Sequence, residues 1–266
     1  MQEKFLLDLL KSDTLLSSKA GKMINFKNIK NQLIIFLCGF AFYLSLKDKD
    51  AKFLLTALFC VILAAGLESA ILFFKNKKIG VTGSSVISGL IIGYVLSSDN
   101  PWWIFLFASF LAIGSKYLIR FNKKHPFNPA AFGIFLSVVL LGASTQWKGT
   151  YSWYILMPFG LYFIFKIRKL GVLIGYAVSA FLLFGIQAAM QKVPLLNIFG
   201  YLSYFFIFIM MIEPKTTPAK PAGKFIFGIG AAALIFILTE SGAKFDAELA
   251  SLLALNLSVP LLNKIP

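Results

Sequence analysis

The chain is a succession of apolar runs, each about 15 to 22 residues long, divided by short breaks rich in lysine, proline or glycine. Ten runs can be laid out, at about 31–46, 53–74, 84–98, 102–119, 127–143, 151–166, 171–190, 195–213, 225–239 and 248–263. Runs of roughly 17 to 25 apolar residues match the hydrocarbon thickness of a bilayer when helical. Composition agrees: 58% of the 266 residues are hydrophobic and 14% charged, against roughly half and a quarter in soluble domains. The expected class is an all-α, polytopic membrane protein. Several runs are short for a full crossing, and 84–98 is expected to be a half-helix or a re-entrant segment, tolerated only inside protein or beside a cavity.

The net charge of +15 points first to nucleic acid, but the cations follow a different rule. With the N-terminus inside, 20 of the 26 Lys and Arg residues fall on one side of the ten spans and 6 on the other. That asymmetry is the positive-inside pattern, and it predicts both termini in the cytoplasm with no nucleic-acid partner. Residues 1–30 are expected to form a cytoplasmic tail or an interfacial helix, and 31–266 the membrane domain. Cys38 and Cys60 lie inside apolar runs and are expected to be packing residues.

Ten spans divide into halves at about 31–143 and 151–263, and five spans per half make any internal repeat an inverted one. Each half has a short third run ending in a polar, proline-containing turn, SSDNP (97–101) and EPKTTP (213–218). Each also has an asparagine with a nearby proline in its fifth run, in HPFNP (125–129) and NLSVP (256–260).

Few polar groups lie at membrane depth, and each has two readings. Glu68 is either a pathway carboxylate or a structural ion-pair partner. In GSSVISG (83–89), Ser84, Ser85 and Ser88 either surround a half-helix N-terminus that faces an anionic group or let helices approach closely. Asn128 and Asn256 can donate and accept beside proline-disturbed backbone, or cap it. Glu213, Thr216 and Thr217 form either a functional loop or a turn. His125, the single histidine, reads as a solvated loop residue and excludes bis-histidine haem. Trp102, Trp103 and Trp147 read as an interfacial aromatic belt. Lys148 reads as a dispensable loop cation. There is no P-loop, no dinucleotide fingerprint and no Ser-His-Asp set.

Five ordered segments resemble the RnfD/NqrB family, which comprises the RnfD proteins of the Rnf electron-transport complex and the NqrB proteins of the sodium-pumping NADH:quinone reductase. They are LESAILFFKNKK (67–78), SSVISGLIIGYVLSSDNPWW (84–103), HPFNPAAFG (125–133), FFIFIMMIEPKTTPAKPAGKFIFGIGAA (205–232) and FDAELASLLALNLSVPLLN (245–263). The resemblance implies about ten transmembrane helices in two inverted five-helix halves, similar to urea transporters, in a bacterial cytoplasmic membrane. It implies a place in a complex that passes electrons through flavins and iron–sulfur centres, beside other membrane subunits or a flavoprotein.

The chain departs from the family where FMN is usually attached, a Thr in D-G-x-[ST]-x-A-T after the fifth span. Here that loop is ASTQWKGT (143–150), and ESGAK (240–244) puts Lys244 at the acceptor position. Covalent FMN is therefore not expected. The expectation is a membrane subunit of a flavin-dependent, ion-coupled electron-transport system, with FMN or riboflavin held non-covalently between the halves. The alternative is a transporter or channel for a small polar solute or a flavin. Glu68, Ser84, Ser85, Ser88, Asn128, Glu213, Thr216, Thr217 and Asn256 are the candidate binding or pathway residues, with no catalytic residue, covalent flavin or metal site.

Overall fold

Short polar breaks between apolar runs leave each run no partner for its backbone except itself, so each closes its hydrogen bonds as a helix. The computed structural model describes residues 28–77, 79–120 and 125–265, and most of the predicted 1–30 segment lies outside them. Five helices make up the first half: α1 (Ile29–Lys47), α2 (Ala51–Asn76), α3 (Gly83–Val95), α4 (Trp102–Leu118) and α5 (Pro129–Leu141). The second half contains α6 (Trp153–Lys166), α7 (Leu170–Met190), a broken segment, α8 (Pro221–Glu240) and α9 (Ala247–Leu262). Among the described residues four helices, α1, α2, α7 and α8, are long and apolar enough to cross a membrane. Large apolar side chains such as Phe42, Leu55, Phe74 and Phe181 point outward, as a lipid-facing surface requires.

The starts of these helices are set by local chemistry. Asn28, Asp50, Thr82, Asn128 and Asp246 each place a side-chain oxygen on a backbone N–H of the first turn, which meets donors that the helix leaves unpaired. The run 195–213 departs from the expected single helix. It divides into a 3-10 turn (Leu195–Asn197), one α-turn (Ile198–Tyr201), an extended residue at Leu202 and a π-helical stretch (Phe206–Met210). The third run of the first half is also incomplete: α3 stops after 13 residues, and Leu96 continues as extended backbone bridged to Thr145.

Small residues bring the helices together. A Cβ on Gly93 of α3 would stand 2.6 Å from Ala57 Cα of α2, and one on Gly175 of α7 would stand 2.2 Å from the Phe225 carbonyl of α8. At the centre Tyr94 donates to the Leu37 carbonyl (2.7 Å) and stacks on Phe205 with centroids 4.9 Å apart. That contact joins α1, α3 and the broken segment.

Polar ties mark two ends of the bundle. At one end Lys148 pairs with Asp50 (2.8 Å) and Asp48 (3.1 Å), Lys52 with Asp99 (2.7 Å), and Trp147 Nε1 donates to Asp246 (2.7 Å). Lys148 is thus a tie between loops, which overturns its reading as an idle cation. Trp147 also leaves the belt reading: it is half-buried, hydrogen-bonded and held at a left-handed φ of 44°. Trp102 and Trp103 do face outward. At the other end Lys169 donates to the Pro218 carbonyl (2.7 Å), Lys224 to that of Arg168 (2.9 Å), and Ala219 N–H to Asn263 (2.8 Å). The SSDNP turn lies at the Lys148 end and the EPKTTP turn at the Lys169 end.

Candidate functional site

The polar residues singled out above converge at the Lys169 end, in two adjoining places. The first is the start of α3. Glu68, projecting from α2, accepts from Thr82 N–H (2.9 Å) and Thr82 Oγ1 (2.7 Å) through one oxygen, and from the Tyr117 hydroxyl (3.3 Å) through the other. Thr82 is the N-cap of α3. The anion at this half-helix start is therefore the chain's own carboxylate, favourably placed against the helix dipole. Ser85 turns its hydroxyl to the Thr82 carbonyl (2.8 Å) and Ser88 to that of Ser84 (2.9 Å).

Lys116 of α4 completes this cluster and was not legible as a site residue. Its ammonium stands 3.7 Å from Glu68 Oε1, and its side chain is 7% exposed. It has no hydrogen-bond partner among the described residues. In the sequence it is one more lysine at a span's inner end, and its carboxylate partner lies on another helix.

The second place joins the halves. Asn256, in the middle of α9, accepts from Asn128 N–H (2.8 Å) and donates to the Thr216 carbonyl (2.9 Å). Asn128 itself caps α5 through Ala131 N–H (3.1 Å). The two asparagines occupy unlike positions, one before the first turn of its helix and one within its helix. Pro260 lies inside α9 and lacks the N–H that would pair with the Asn256 carbonyl, which loosens the helix at that residue. Thr217 Oγ1 donates to the Glu213 carbonyl (2.8 Å), and Thr216 Oγ1 to Glu213 Oε2 (3.4 Å). Both hydroxyls close the turn. Lys169 secures it from below, and burial with Lys224 nearby pushes that ammonium down to about 8.

Between these places lies a cavity of about 320 Å³. Its first-half wall is α1 (Ile29, Lys30, Leu33), α3 (Ser84, Ile87, Ser88, Ile91) and the start of α5 (Asn128, Pro129); its second-half wall is Phe163, Ile167 and the segment Phe208–Lys215. The volume is at the lower end of small-molecule sites, and mostly apolar walls with a few polar groups are typical of them. Four of the nine candidates line it: Ser84, Ser88, Asn128 and Glu213. Glu68, Ser85, Thr216, Thr217 and Asn256 do not; they hold the lining residues in place, because their polar atoms are engaged by backbone and neighbouring side chains. His125 is half-buried, its Nδ1 3.1 Å from the Phe127 carbonyl. It is not a freely solvated residue, and burial lowers its pKa.

The model of the NQR2, RnfD, RnfE family matches residues 18–154 and 164–266 of the chain. The chain is similar to the D component of the ion-translocating oxidoreductase complex of Pseudomonas aeruginosa, 21% identical over 280 residues that cover 79% of this chain and 81% of that protein. It is similar over a shorter stretch to the same component from Marinobacter nauticus, 30% identical over 100 residues, or 35% of this chain and 29% of that one.

Proposed function

The chain belongs to the NQR2, RnfD, RnfE family, and on that premise we propose that it is a membrane subunit of an ion-translocating oxidoreductase complex, with a non-covalent flavin between its halves. The observation that carries this reading is the cavity walled by α1, α3 and α5 on one side and by Phe163 and Phe208–Lys215 on the other. Its residues suit such a group: Ile87, Ile91, Phe163 and Phe208 offer flat apolar contact, while Ser84, Ser88, Asn128 and Glu213 supply polar atoms. Lys30 on the first-half wall and Lys215 on the second-half wall can meet the phosphate of FMN. A bound flavin supplies one- and two-electron chemistry. The chain orients the ring against its apolar walls, excludes water, and keeps Asn128 and Glu213 fixed through Asn256 and the Thr216–Thr217 turn.

The two turns at opposite ends support an inverted pair of five-helix halves, and the cation asymmetry supports the Lys169 end as cytoplasmic in a bacterial inner membrane. Lys148→Cys should then react with an impermeant maleimide in intact cells and Lys220→Cys should not; the opposite pattern reverses the orientation.

The flavin reading is tested by purifying the chain from native membranes and recording absorbance before and after denaturation. Flavin released into solution on denaturation, with other membrane redox subunits co-purifying, is the expected result. A flavin-free chain that conducts small solutes in vesicles selects the transporter reading instead.

A further inference from the structure

An apolar groove on the outer surface lies between α1 and α6 and shares only Phe163 with the cavity among its lining residues. Phe36, Gly39, Phe40, Phe159 and Phe163 form much of it, in a volume of about 570 Å³. A Cβ added at Gly39 meets nothing within 4 Å, so the trough is open at its centre.

A polar cluster closes each end. At one, the hydroxyls of Tyr43 and Tyr154 are 2.8 Å apart, and Lys47 lies over the Tyr154 ring while donating to Ser152 (2.9 Å). At the other, Lys166 donates to Gln32 (2.7 Å) and to the Tyr162 hydroxyl (2.6 Å). The ends differ in charge. At the first, carboxylates stand among the cations: Asp48 follows Lys47 directly and, with Asp50, pairs with Lys148, although Lys47 itself forms no ion pair among the described residues. Lys166 bonds only neutral oxygens, the exposed Arg168 follows two residues later, and neither forms an ion pair among the described residues.

Width narrows the choice of occupant. From Gln32 to Tyr43 the groove follows about 16 Å of helix, so its volume corresponds to a cross-section of about 35 Å². A trough of that width takes hydrocarbon chains along its length, whereas a transmembrane helix, roughly 10 Å across with its side chains, would enter it by side chains alone. Such a trough, with cations and no ion-pair partner for them at one mouth among the described residues, matches an acyl chain carrying an anionic head group. We propose that the α1–α6 groove is a binding site for an acidic phospholipid, its chain along Gly39 and its phosphate at Lys166. The groove adjoins the cavity through Phe163, which lines both, but the proposal does not need a flavin to be bound there.

The test uses the full chain in vesicles containing equal phosphatidylglycerol and phosphatidylcholine, followed by detergent extraction and native mass spectrometry. The wild type should retain phosphatidylglycerol in preference to phosphatidylcholine by about fivefold, the weight of one basic side chain near an anionic surface. Lys166→Gln should abolish that preference. Gly39→Leu, whose Cβ has open space around it and whose side chain occupies the trough, should reduce retention of both lipids without lowering thermal stability. Equal retention of the two lipids by the wild type overturns the proposal, as does unchanged retention in Gly39→Leu.

Discussion

Lys116 Nζ lies 3.7 Å from Glu68 Oε1 with both side chains buried, and the two partners depend on each other unequally. Glu68 keeps three donors besides the lysine, two from Thr82 and one from Tyr117. The ammonium, too far from the carboxylate for a hydrogen bond, has no hydrogen-bond partner among the described residues and otherwise feels only the more distant Glu213 carboxylate as an opposite charge. Removing one partner of a buried ion pair typically costs about 3–5 kcal/mol. Glu68→Gln, which strands the ammonium, should reach that range, while Lys116→Met should cost less, and the double variant should recover most of the loss. Thermal unfolding in detergent measures all three. A greater loss for Lys116→Met than for Glu68→Gln would show that the lysine is the better-served partner.

Asn256→Ala removes the acceptor of Asn128 N–H and the donor to Thr216 at once. Leaving buried groups unpaired costs about 1–3 kcal/mol, and the cavity wall should loosen with them. Lower thermal stability together with faster hydrogen exchange at 128–131 is the expected result. Unaltered exchange there would mean that α5 is held by its packing alone.

Gly175→Ala places a methyl 2.2 Å from the Phe225 carbonyl, a backbone atom that cannot swing aside. The overpacking should cost about 1–3 kcal/mol. Gly66→Ala in α2, where a Cβ meets nothing within 4 Å, should be neutral or slightly stabilising because alanine favours helix. Equal melting temperatures for the two variants would contradict the tight α7–α8 contact.

The Lys148 tie should give stability a characteristic pH dependence. Partial burial works against ionising Asp50, but hydrogen bonds from Lys148 and Phe53 N–H outweigh it and hold the carboxyl below its ordinary 3.8. That stabilisation is present above 3.8 and is lost as pH falls through the lower, folded value. Burial likewise opposes the Lys148 ammonium, and Asp50 and Asp48 outweigh it, raising its pKa above 10.5. Its share is complete below 10.5 and is lost as pH rises through the folded value. Lys148→Ala should flatten both limbs of the melting-temperature profile, with an effect at neutral pH of about 1 kcal/mol or less for so accessible a pair.

Covalent flavin should be absent even with a flavin transferase co-expressed. Thr145 in the 143–150 loop is bridged to Leu96 and donates to Asp246 (3.3 Å), so its hydroxyl is already engaged. Denaturing electrophoresis should show no fluorescent band, and a band that disappears in Thr145→Ala would reverse the conclusion.

The helix boundaries were legible because lysines, prolines and capping residues interrupt the apolar runs where the helices stop. The break at Leu202 was not. Residues 202–212 contain no glycine, proline or charge, and what accompanies the break is tertiary: Phe205 and Phe206 are fully buried and Phe205 stacks on Tyr94. Ser84, Ser88, Asn128 and Glu213 were recognisable because polar atoms are rare at membrane depth. Lys116 was hidden by its position among loop cations, and the Asn128–Asn256 link by a separation of 128 residues, which no local pattern spans.

That separation bears on how the protein is made. When the ribosome has finished α5, the acceptor of the Asn128 N–H has not yet been synthesised. The translocon must release an unfinished wall and wait for Asn256 to arrive half a chain later. The wall at Asn128 therefore closes only after α9 has been made, and its completion follows the order of synthesis.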